Sequence, residues 1–577
     1  MNFFEEYKKW CGFKGLADDL KQELTAIADN EAGIKERFYK SLEFGTGGLR
    51  GIIGAGTNRM NIYTVRKASQ GLAEYIKKNG SQKKDSVVIA YDSRINSRLF
   101  AEQAAQVLAN NNIKSWLFAE IIPTPVLSFA VRELGCTAGI VITASHNPRE
   151  YNGYKVYWSD GGQITDTIAN GILAEIEQIA DELRLATLDL AVGLEQSLIA
   201  YVPEKLFDKY IEEVGRLSLQ PEMIRAMAER VKIVYTPLHG TGNIPVRRVL
   251  AERGFKNINI VEEQVVPDGS FPTVKYPNPE DPAALKMALD LGHKVKADII
   301  MATDPDADRL GIAVKDQNNN YQMLTGNQLG ALLLDYILTV KNRQGLLQGN
   351  EVLVKTIVTS EFGRKIAEKF KVETRDVLTG FKYIGEKIKE FTASNQQKFI
   401  FGYEESYGYL IGDFVRDKDA VQACLLSAEM AAYYTYLGKD LATRLQELYE
   451  EFGFFQEELM SYHFQGAAGQ DKIKRIMKYF RDHYPKTIGA LKVVVVSDYY
   501  LREEINILSG LTGKTSLPRA DVIQLKFDDG SWVCIRPSGT EPKLKIYLGV
   551  VSQSPQISEA KTKDMKNILQ GIIEKIR

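Results

Sequence analysis

Ser145 stands beside His146, and Lys155 follows ten residues on, so a hydroxyl, an imidazole and an amine fall in one short stretch. That is a nucleophile in a working position, with two groups able to handle its proton. A second set is Asp304, Asp306 and Asp308, in Thr303-Asp304-Pro305-Asp306-Ala307-Asp308-Arg309. Alternate residues of an extended segment point the same way, so the three carboxylates are expected to converge. Unpaired, they would repel one another strongly. A hard divalent cation with oxygen ligands resolves the conflict, and Mg²⁺ suits a site that also handles phosphate.

Both sets are expected at strand ends. Ala138-Gly139-Ile140-Val141-Ile142 is a short apolar run of the kind buried in parallel sheets, and Asn147-Pro148 marks the turn after it. Ala297 to Ala302 reads the same way before the aspartates. Open α/β sheets place their ligand crevices at such carboxyl ends. Ser86 to Tyr91, ending in Asp92-Ser93-Arg94, repeats the pattern, followed by a helix over 97–110, a strand near Trp116 and a helix from Val126 to Leu134. Strands alternating with helices predict βαβ units and a mainly parallel sheet. Arg94 ranks below the site proper, because an Asp-Ser-Arg turn serves structure as often as function.

Other stretches add candidates. The glycines of Phe44-Gly45-Thr46-Gly47-Gly48-Leu49-Arg50-Gly51 let backbone approach a ligand, and Arg50 adds a permanent cation. Val231 to Tyr235 is a strand leading to His239, read as a hydrogen-bonding support for the aspartate loop, and the proline-rich 267–279 is an extended surface connection. Lys355 lies on a strand over 351–357, and Thr379, Gly380 and Lys382 at a further turn. Glu404 and Ser406, two residues apart, can grip adjacent sugar hydroxyls, with Arg416, Lys418 and Asp419 following. Arg536-Pro537-Ser538-Gly539-Thr540 offers a guanidinium, two hydroxyls and an approachable backbone N–H, a phosphate cradle. Before it, 503–517 reads as a flexible excursion and Phe527-Asp528-Asp529-Gly530 as a hairpin turn.

The first forty residues look helical and peripheral, with Phe3, Phe4, Tyr7 and Trp10 at helical spacing. A polar helical stretch is expected through about Leu217. The 577 residues, 44% hydrophobic and 25% charged, suit an ordinary soluble globular chain of about four domains. A net charge of −1 gives no nucleic-acid or membrane field. Cys11, Cys136, Cys424 and Cys534 have no paired spacing, which argues against disulfides or zinc and fits a reducing cytoplasm. No signal peptide or membrane span is read.

TASHNP with NGYK, DPDADR, FGTGGLRG, GYEES and RPSGTEPK, in that family's order from Phe44 to the C-terminus, resemble the α-D-phosphohexomutase superfamily of phosphoglucomutases and phosphomannomutases. The resemblance implies three similar α/β domains with mixed, mostly parallel sheets plus a smaller α+β C-terminal domain around a central cleft. Their bounds would be 1–205 with the phosphoserine loop, 206–320 with the metal loop, 321–455 with the sugar loop and 456–577 with the phosphate loop. It further implies that Ser145 carries a phosphate, passes it to a sugar monophosphate and recovers the opposite phosphate from a bisphosphate intermediate. Ser145, Asp304, Asp306 and Asp308 would hold Mg²⁺; Arg50 and Arg309 would add positive charge; His146 or Lys155 would move the proton, with Lys355 and Lys382 able to assist. Lys355, Thr379, Gly380, Lys382, Glu404, Ser406, Arg416 and Lys418 would bind the sugar phosphate, and Arg536, Ser538, Gly539 and Thr540 its non-reacting phosphate. One departure is Gly408, where some phosphomannomutases carry a histidine.

The double-glutamate sugar loop is similar to glucose-specific members, so glucose 1-phosphate and glucose 6-phosphate are the expected pair, with glucose 1,6-bisphosphate as activator, in a monomer or dimer. Mannose or pentose phosphates on the same scaffold are the alternative. A phosphatase with the same Ser and Mg²⁺ is disfavoured by the separate phosphate cradle, and a non-catalytic sensor by the intact serine and aspartates.

Overall fold

The computed structural model describes residues 2–45, 47–80, 85–316, 320–464, 466–538 and 543–576. The chain separates into two compact units. The first comprises Met1–Thr325, Ile384–Phe401 and Ser406–Asp440; the second comprises Gly326–Tyr383, Gly402–Glu405 and Leu441–Arg577.

In the first unit, six strands form one sheet: β1 (Leu49–Ile52), β2 (Ser86–Tyr91), β3 (Lys114–Leu117), β4 (Ala138–Ile142), β5 (Tyr151–Trp158) and β6 (Ile199–Tyr201). Their order is β1-β5-β4-β2-β3-β6. β2 and β4 are buried along their whole length, as β-branched runs in a doubly covered sheet should be. β2 runs parallel to β3 and β4, and β3 to β6. β5, absent from the sequence reading, returns antiparallel to β4 and sets Lys155 opposite Val141. Residues 143–150 are too few for a parallel crossover, so the chain can only double back. β6 likewise interrupts the polar stretch expected to be helical through Leu217.

A second sheet holds β7 (Lys232–Thr236), β8 (Asn257–Ile260), β9 (Ile299–Thr303), β10 (Leu310–Lys315) and β11 (Tyr321–Met323), in the order β11-β10-β9-β7-β8. β7 is parallel to β8 and β9, while β9 turns back antiparallel into β10 through 304–309. Both reactive stretches therefore sit in tight turns between a buried strand and its antiparallel neighbour.

The N-terminal helices Phe3–Gly12, Asp18–Ala26 and Glu31–Phe38 pack a separate core. Trp10, fully buried, meets Phe38 and Tyr63 edge-on with ring centroids 5.7 and 5.5 Å apart, and its indole N–H donates to Glu182 at 3.3 Å. The helix Ala420–Tyr436 is buried along nearly its whole length.

In the second unit β12 (Glu351–Thr356) pairs parallel with β13 (Glu373–Val377); β14 (Lys398–Glu404) and β15 (Gly408–Leu410) follow in the chain. The C-terminal sheet is antiparallel: β16 (Phe454–His463), β17 (Thr487–Ile488), β18 (Leu491–Asp498), β19 (Glu503–Asn506), β20 (Thr512–Lys514), β21 (Ile523–Phe527), β22 (Trp532–Pro537) and β23 (Lys543–Ser552). The excursion expected over 503–517 is instead the hairpin β19–β20, paired to β18. Its strands are short and solvated, so they carry no apolar period to read. The fold is α/β, with three sheets of this kind followed by a smaller C-terminal domain. Among the described residues no helix is long and apolar enough to cross a membrane.

Candidate active site

β4 ends at Ile142, and the next three residues aim the Ser145 hydroxyl. Thr143 Oγ1 accepts the N–H of Ser145 at 2.8 Å, and Asn147 N–H closes a turn on the Ala144 carbonyl at 3.1 Å. Ser145 takes φ +51°, a left-handed conformation that costs an L-residue roughly 1–2 kcal/mol. Strain of this kind is held where surrounding structure fixes it, commonly at functional sites. Gly153 of the NGYK motif has its own reason: a Cβ there would lie 2.5 Å from the Thr143 carbonyl oxygen and 2.8 Å from that of Leu49.

From this bend Ser145 Oγ donates to Asp304 Oδ2 at 2.5 Å and lies 3.2 Å from His146 Nδ1. Burial, then the cations Arg309 and Arg50, hold the His146 pKa well below the ordinary imidazole value, so the ring is neutral at pH 7. Arg50 itself is exposed and donates to Asn147 Oδ1 at 3.1 Å. Arg309 pairs with Glu280 at 2.5 Å and reaches Asp308 only at 3.9 Å.

The three aspartates converge, though not by strand alternation. Residues 304–308 form a turn, with Ala307 at φ +49° donating its N–H to the Asp304 carbonyl at 2.9 Å. Asp304 Oδ1 accepts the N–H groups of Asp308 and Arg309 at 3.1 and 3.0 Å. All three carboxylates are buried, and one oxygen from each lies within 4.8 Å of the others. Among the described residues, Asp306 Oδ1 and Asp308 Oδ1 have no hydrogen-bond partner. Buried carboxylate oxygens left with open lone pairs are what a hard, oxygen-seeking cation requires, so the residues fit a divalent metal.

Two lysines stand against this cluster. Lys155 Nζ is 3.0 Å from Asp306 and 3.6 Å from Asp308; Lys418 Nζ is 3.1 Å from Asp308 and 3.0 Å from Asp417. Asp417 in turn accepts the Tyr157 hydroxyl at 2.5 Å. Burial, with Asp306 and Asp308 beside it, pushes Asp304 well above the usual carboxylate range. Burial also opposes the charge of Asp306, but Lys155 and hydrogen bonds outweigh it and hold that carboxyl low.

Three further residues serve this site. Thr124 donates its hydroxyl to Asp306 Oδ2 and its N–H to the Asp306 carbonyl, both at 2.9 Å. Tyr157 and Asp417 complete the lysine network. Asp417 lies between two residues the sequence did single out, whereas Thr124, the first residue of the helix Thr124–Glu133, gave no signal beyond a helix N-terminus. Arg416 is buried and donates to Thr392 at 2.9 Å, and burial followed by Arg132 lowers its pKa to about 10. Asp419 caps the helix Ala420–Tyr436 and accepts the Tyr210 hydroxyl, so it serves structure and not a ligand.

In the second unit, Glu404 Oε1 accepts the Gly380 N–H at 2.9 Å, bringing the end of β14 to the Thr379-Gly380 turn. Thr379 Oγ1 is buried with no hydrogen-bond partner among the described residues, and Lys382 lies 4.7 Å from the Tyr383 ring centre. Glu405, which the sequence reading passed over, accepts the Thr356 and Thr359 hydroxyls at 3.4 and 3.3 Å. Burial raises its pKa against the pull of Arg536 and Lys545. Arg536 stands on β22 opposite Lys545, and the Ser538 N–H donates to the Lys543 carbonyl at 2.7 Å. Gly539 and Thr540 lie outside the described residues. In the first unit Ser406 is half-buried in the turn before β15.

Lys355 departs from the expectation of a substrate contact. It is fully buried, 3.0 Å from Glu361 and 3.1 Å from Asp376, and donates to the Thr356 and Thr359 carbonyls. Strand alternation turned it into a packed ion cluster.

The chain matches four family models in succession: the phosphoglucomutase/phosphomannomutase α/β/α domains I, II and III over residues 41–183, 208–318 and 325–452, and the C-terminal domain over 487–560. It is 39% identical over 518 residues to a phosphoglucomutase of Staphylococcus aureus (strain MRSA252), covering 89% of this chain and 91% of that one. A phosphoglucomutase of Staphylococcus haemolyticus is 38% identical over 541 residues, 94% and 95% of the two chains. Among solved structures, Paramecium parafusin, titled a phosphoglucomutase in its open form, superposes with a TM-score of 0.68 at 17% identity over 93% of this chain and 95% of that one.

Proposed function

Because the chain belongs to the phosphoglucomutase/phosphomannomutase family, we propose that it interconverts glucose 1-phosphate and glucose 6-phosphate through a phosphoserine at Ser145 and glucose 1,6-bisphosphate. The observation that carries this reading is the Ser145 hydroxyl delivered at 2.5 Å onto a cluster of three buried aspartates. Asp304, Asp306 and Asp308 would hold Mg²⁺, which when bound supplies positive charge to offset that developing on a transferred phosphoryl group.

This chain's own residues do the rest. The phosphate on Ser145 leaves as a sugar hydroxyl attacks it; the P–O bond to Oγ breaks, a P–O bond to the sugar forms, and the hydroxyl proton ends on Ser145 Oγ. Neutral His146, 3.2 Å from Oγ, and Lys155 are the groups placed to carry that proton. Arg50 and Arg309 would contribute fixed positive charge, a reading supported by the lowering of the His146 pKa beside them. Lys418 and Arg416 in the first unit, with Glu404, Thr379, Gly380 and Lys382 in the second, are assigned to the sugar phosphate, and Arg536 and Ser538 to the opposite phosphate. The reverse transfer then returns that phosphate to Ser145, so isomerisation consumes no cofactor.

We assign the four domains to 1–205, 206–320, 321–455 and 456–577, and the enzyme to a reducing cytoplasm, which four free cysteines support. Parallel assays on glucose 1-phosphate, mannose 1-phosphate and ribose 1-phosphate test the substrate. Glucose 1-phosphate is expected to turn over fastest; a clear preference for ribose 1-phosphate overturns the assignment in favour of a pentose mutase.

A further inference from the structure

Arg94, at the end of β2, is almost fully buried and lies behind the Ser145 loop. Its Nη2 donates to the carbonyls of Ser145 and Asn147, and its Nη1 to those of Pro148 and Tyr151 at 2.9 and 3.0 Å. Those four bonds use every hydrogen on the two terminal nitrogens, leaving none for a phosphate. The remaining Nε faces Asp92 at 3.4 Å, and Asp92 also accepts the Arg94 N–H at 2.9 Å and the Ser97 hydroxyl at 2.7 Å. From the other side the Phe271 ring lies under the guanidinium, 5.0 Å from its centre, in a segment bridged to Arg94 at Gly269. One side chain thus ties down the loop whose left-handed bend at Ser145 aims the hydroxyl at Asp304.

We infer that Arg94 is a positioning residue for phosphoryl transfer, holding the Ser145 loop in its reactive geometry without touching substrate. The inference rests on reading Ser145 as the phosphorylated nucleophile. A planar fork can bind four carbonyls at once; the single ammonium of lysine cannot, though it preserves the charge opposite Asp92.

The test is Arg94→Lys in the full-length enzyme, assayed on glucose 1-phosphate with melting followed by circular dichroism. A folded variant should lose about a hundredfold in kcat, the scale of an ångström misplacement, while KM and the Mg²⁺ concentration for half activity stay put. A kcat within about threefold of wild type, or a raised KM at unchanged kcat, overturns the inference. If Arg94→Lys does not fold, Phe271→Leu leaves every hydrogen bond in place but removes the ring face. A kcat loss of about threefold or more at constant KM then supports the inference, and unchanged kcat overturns it. Phosphopeptide mapping of wild type after incubation with glucose 1,6-bisphosphate separates the two readings: phosphate absent from Ser145 removes the nucleophile itself, whatever the variants do.

Discussion

Each unit buries a lysine among carboxylates, and the two clusters meet the same electrostatic demand in opposite ways. Around Lys355, the carboxylates of Glu361 and Asp376 face two cations, Lys355 and Arg364, with contacts of 2.5–3.1 Å. Burial there is outweighed by pairing, so Glu361 falls to about 2 and Lys355 is raised. Around Lys155, the carboxylates of Asp304, Asp306, Asp308 and Asp417 face Lys155 and Lys418 at 3.0–3.6 Å, with Arg309 farther off, 3.9 Å from Asp308. Asp304 is driven above its ordinary range by burial and by Asp306 and Asp308 beside it. A cluster that balances itself holds a fold together; one left short of positive charge is equipped to receive some.

Changes at either cluster sharpen this contrast. The largest effect is expected for Ser145→Ala, which removes the group the unbalanced cluster addresses: activity should vanish, and the protein should take up no label from radioactive glucose bisphosphate. Full residual turnover would contradict the site.

Lys355→Met comes next and breaks the balanced cluster. Removing one partner of a buried pair leaves a stranded charge, costing about 3–5 kcal/mol by chemical denaturation. A loss of activity without loss of stability would return Lys355 to the substrate. The pH dependence follows in the same terms. Glu361 is held at about 2 against an ordinary 4.5, so its contribution is complete above pH 4.5 and lost as pH falls through about 2. That amounts to ~3 kcal/mol in stability, which Lys355→Met should largely erase.

Asp306→Asn weakens the unbalanced cluster's hold on a cation. Turnover should drop by about a hundredfold or more, no less than loss of an outer-shell partner costs, and excess Mg²⁺ should restore part of it. Indifference of the wild type to a chelator would remove the metal from the account. The smallest effect is expected for Arg536→Ala, which leaves both clusters intact: KM should rise about tenfold, the value of a charge-assisted hydrogen bond, with a lesser fall in kcat. Unchanged affinity would end its role in the cradle.

The sequence made the reactive turns legible because chemistry there is written in residue type: Ser145 and the aspartates at 304, 306 and 308 stand at the ends of apolar runs. It misjudged how the aspartates meet, since a left-handed Ala307 leaves no mark in composition. Lys155 was found by its motif, but not the strand β5 that carries it. Lys355 and Lys155 both stood out as lysines near candidate sites; the partners brought in from distant sequence tell them apart. Arg94 was named but ranked below the site for the same reason, as its four acceptors are backbone carbonyls, which every residue possesses.

The family match begins at residue 41, but the folded body does not. Trp10, wedged against Phe38 and Tyr63 and bonded to Glu182, fastens the three leading helices to a tyrosine inside the matched segment. Those helices therefore belong to the body they precede: a chain cut back to residue 41 would bare one face of Tyr63 and take Trp10 and Lys9 away from Glu182, so the folded body is longer than the segment the family models match.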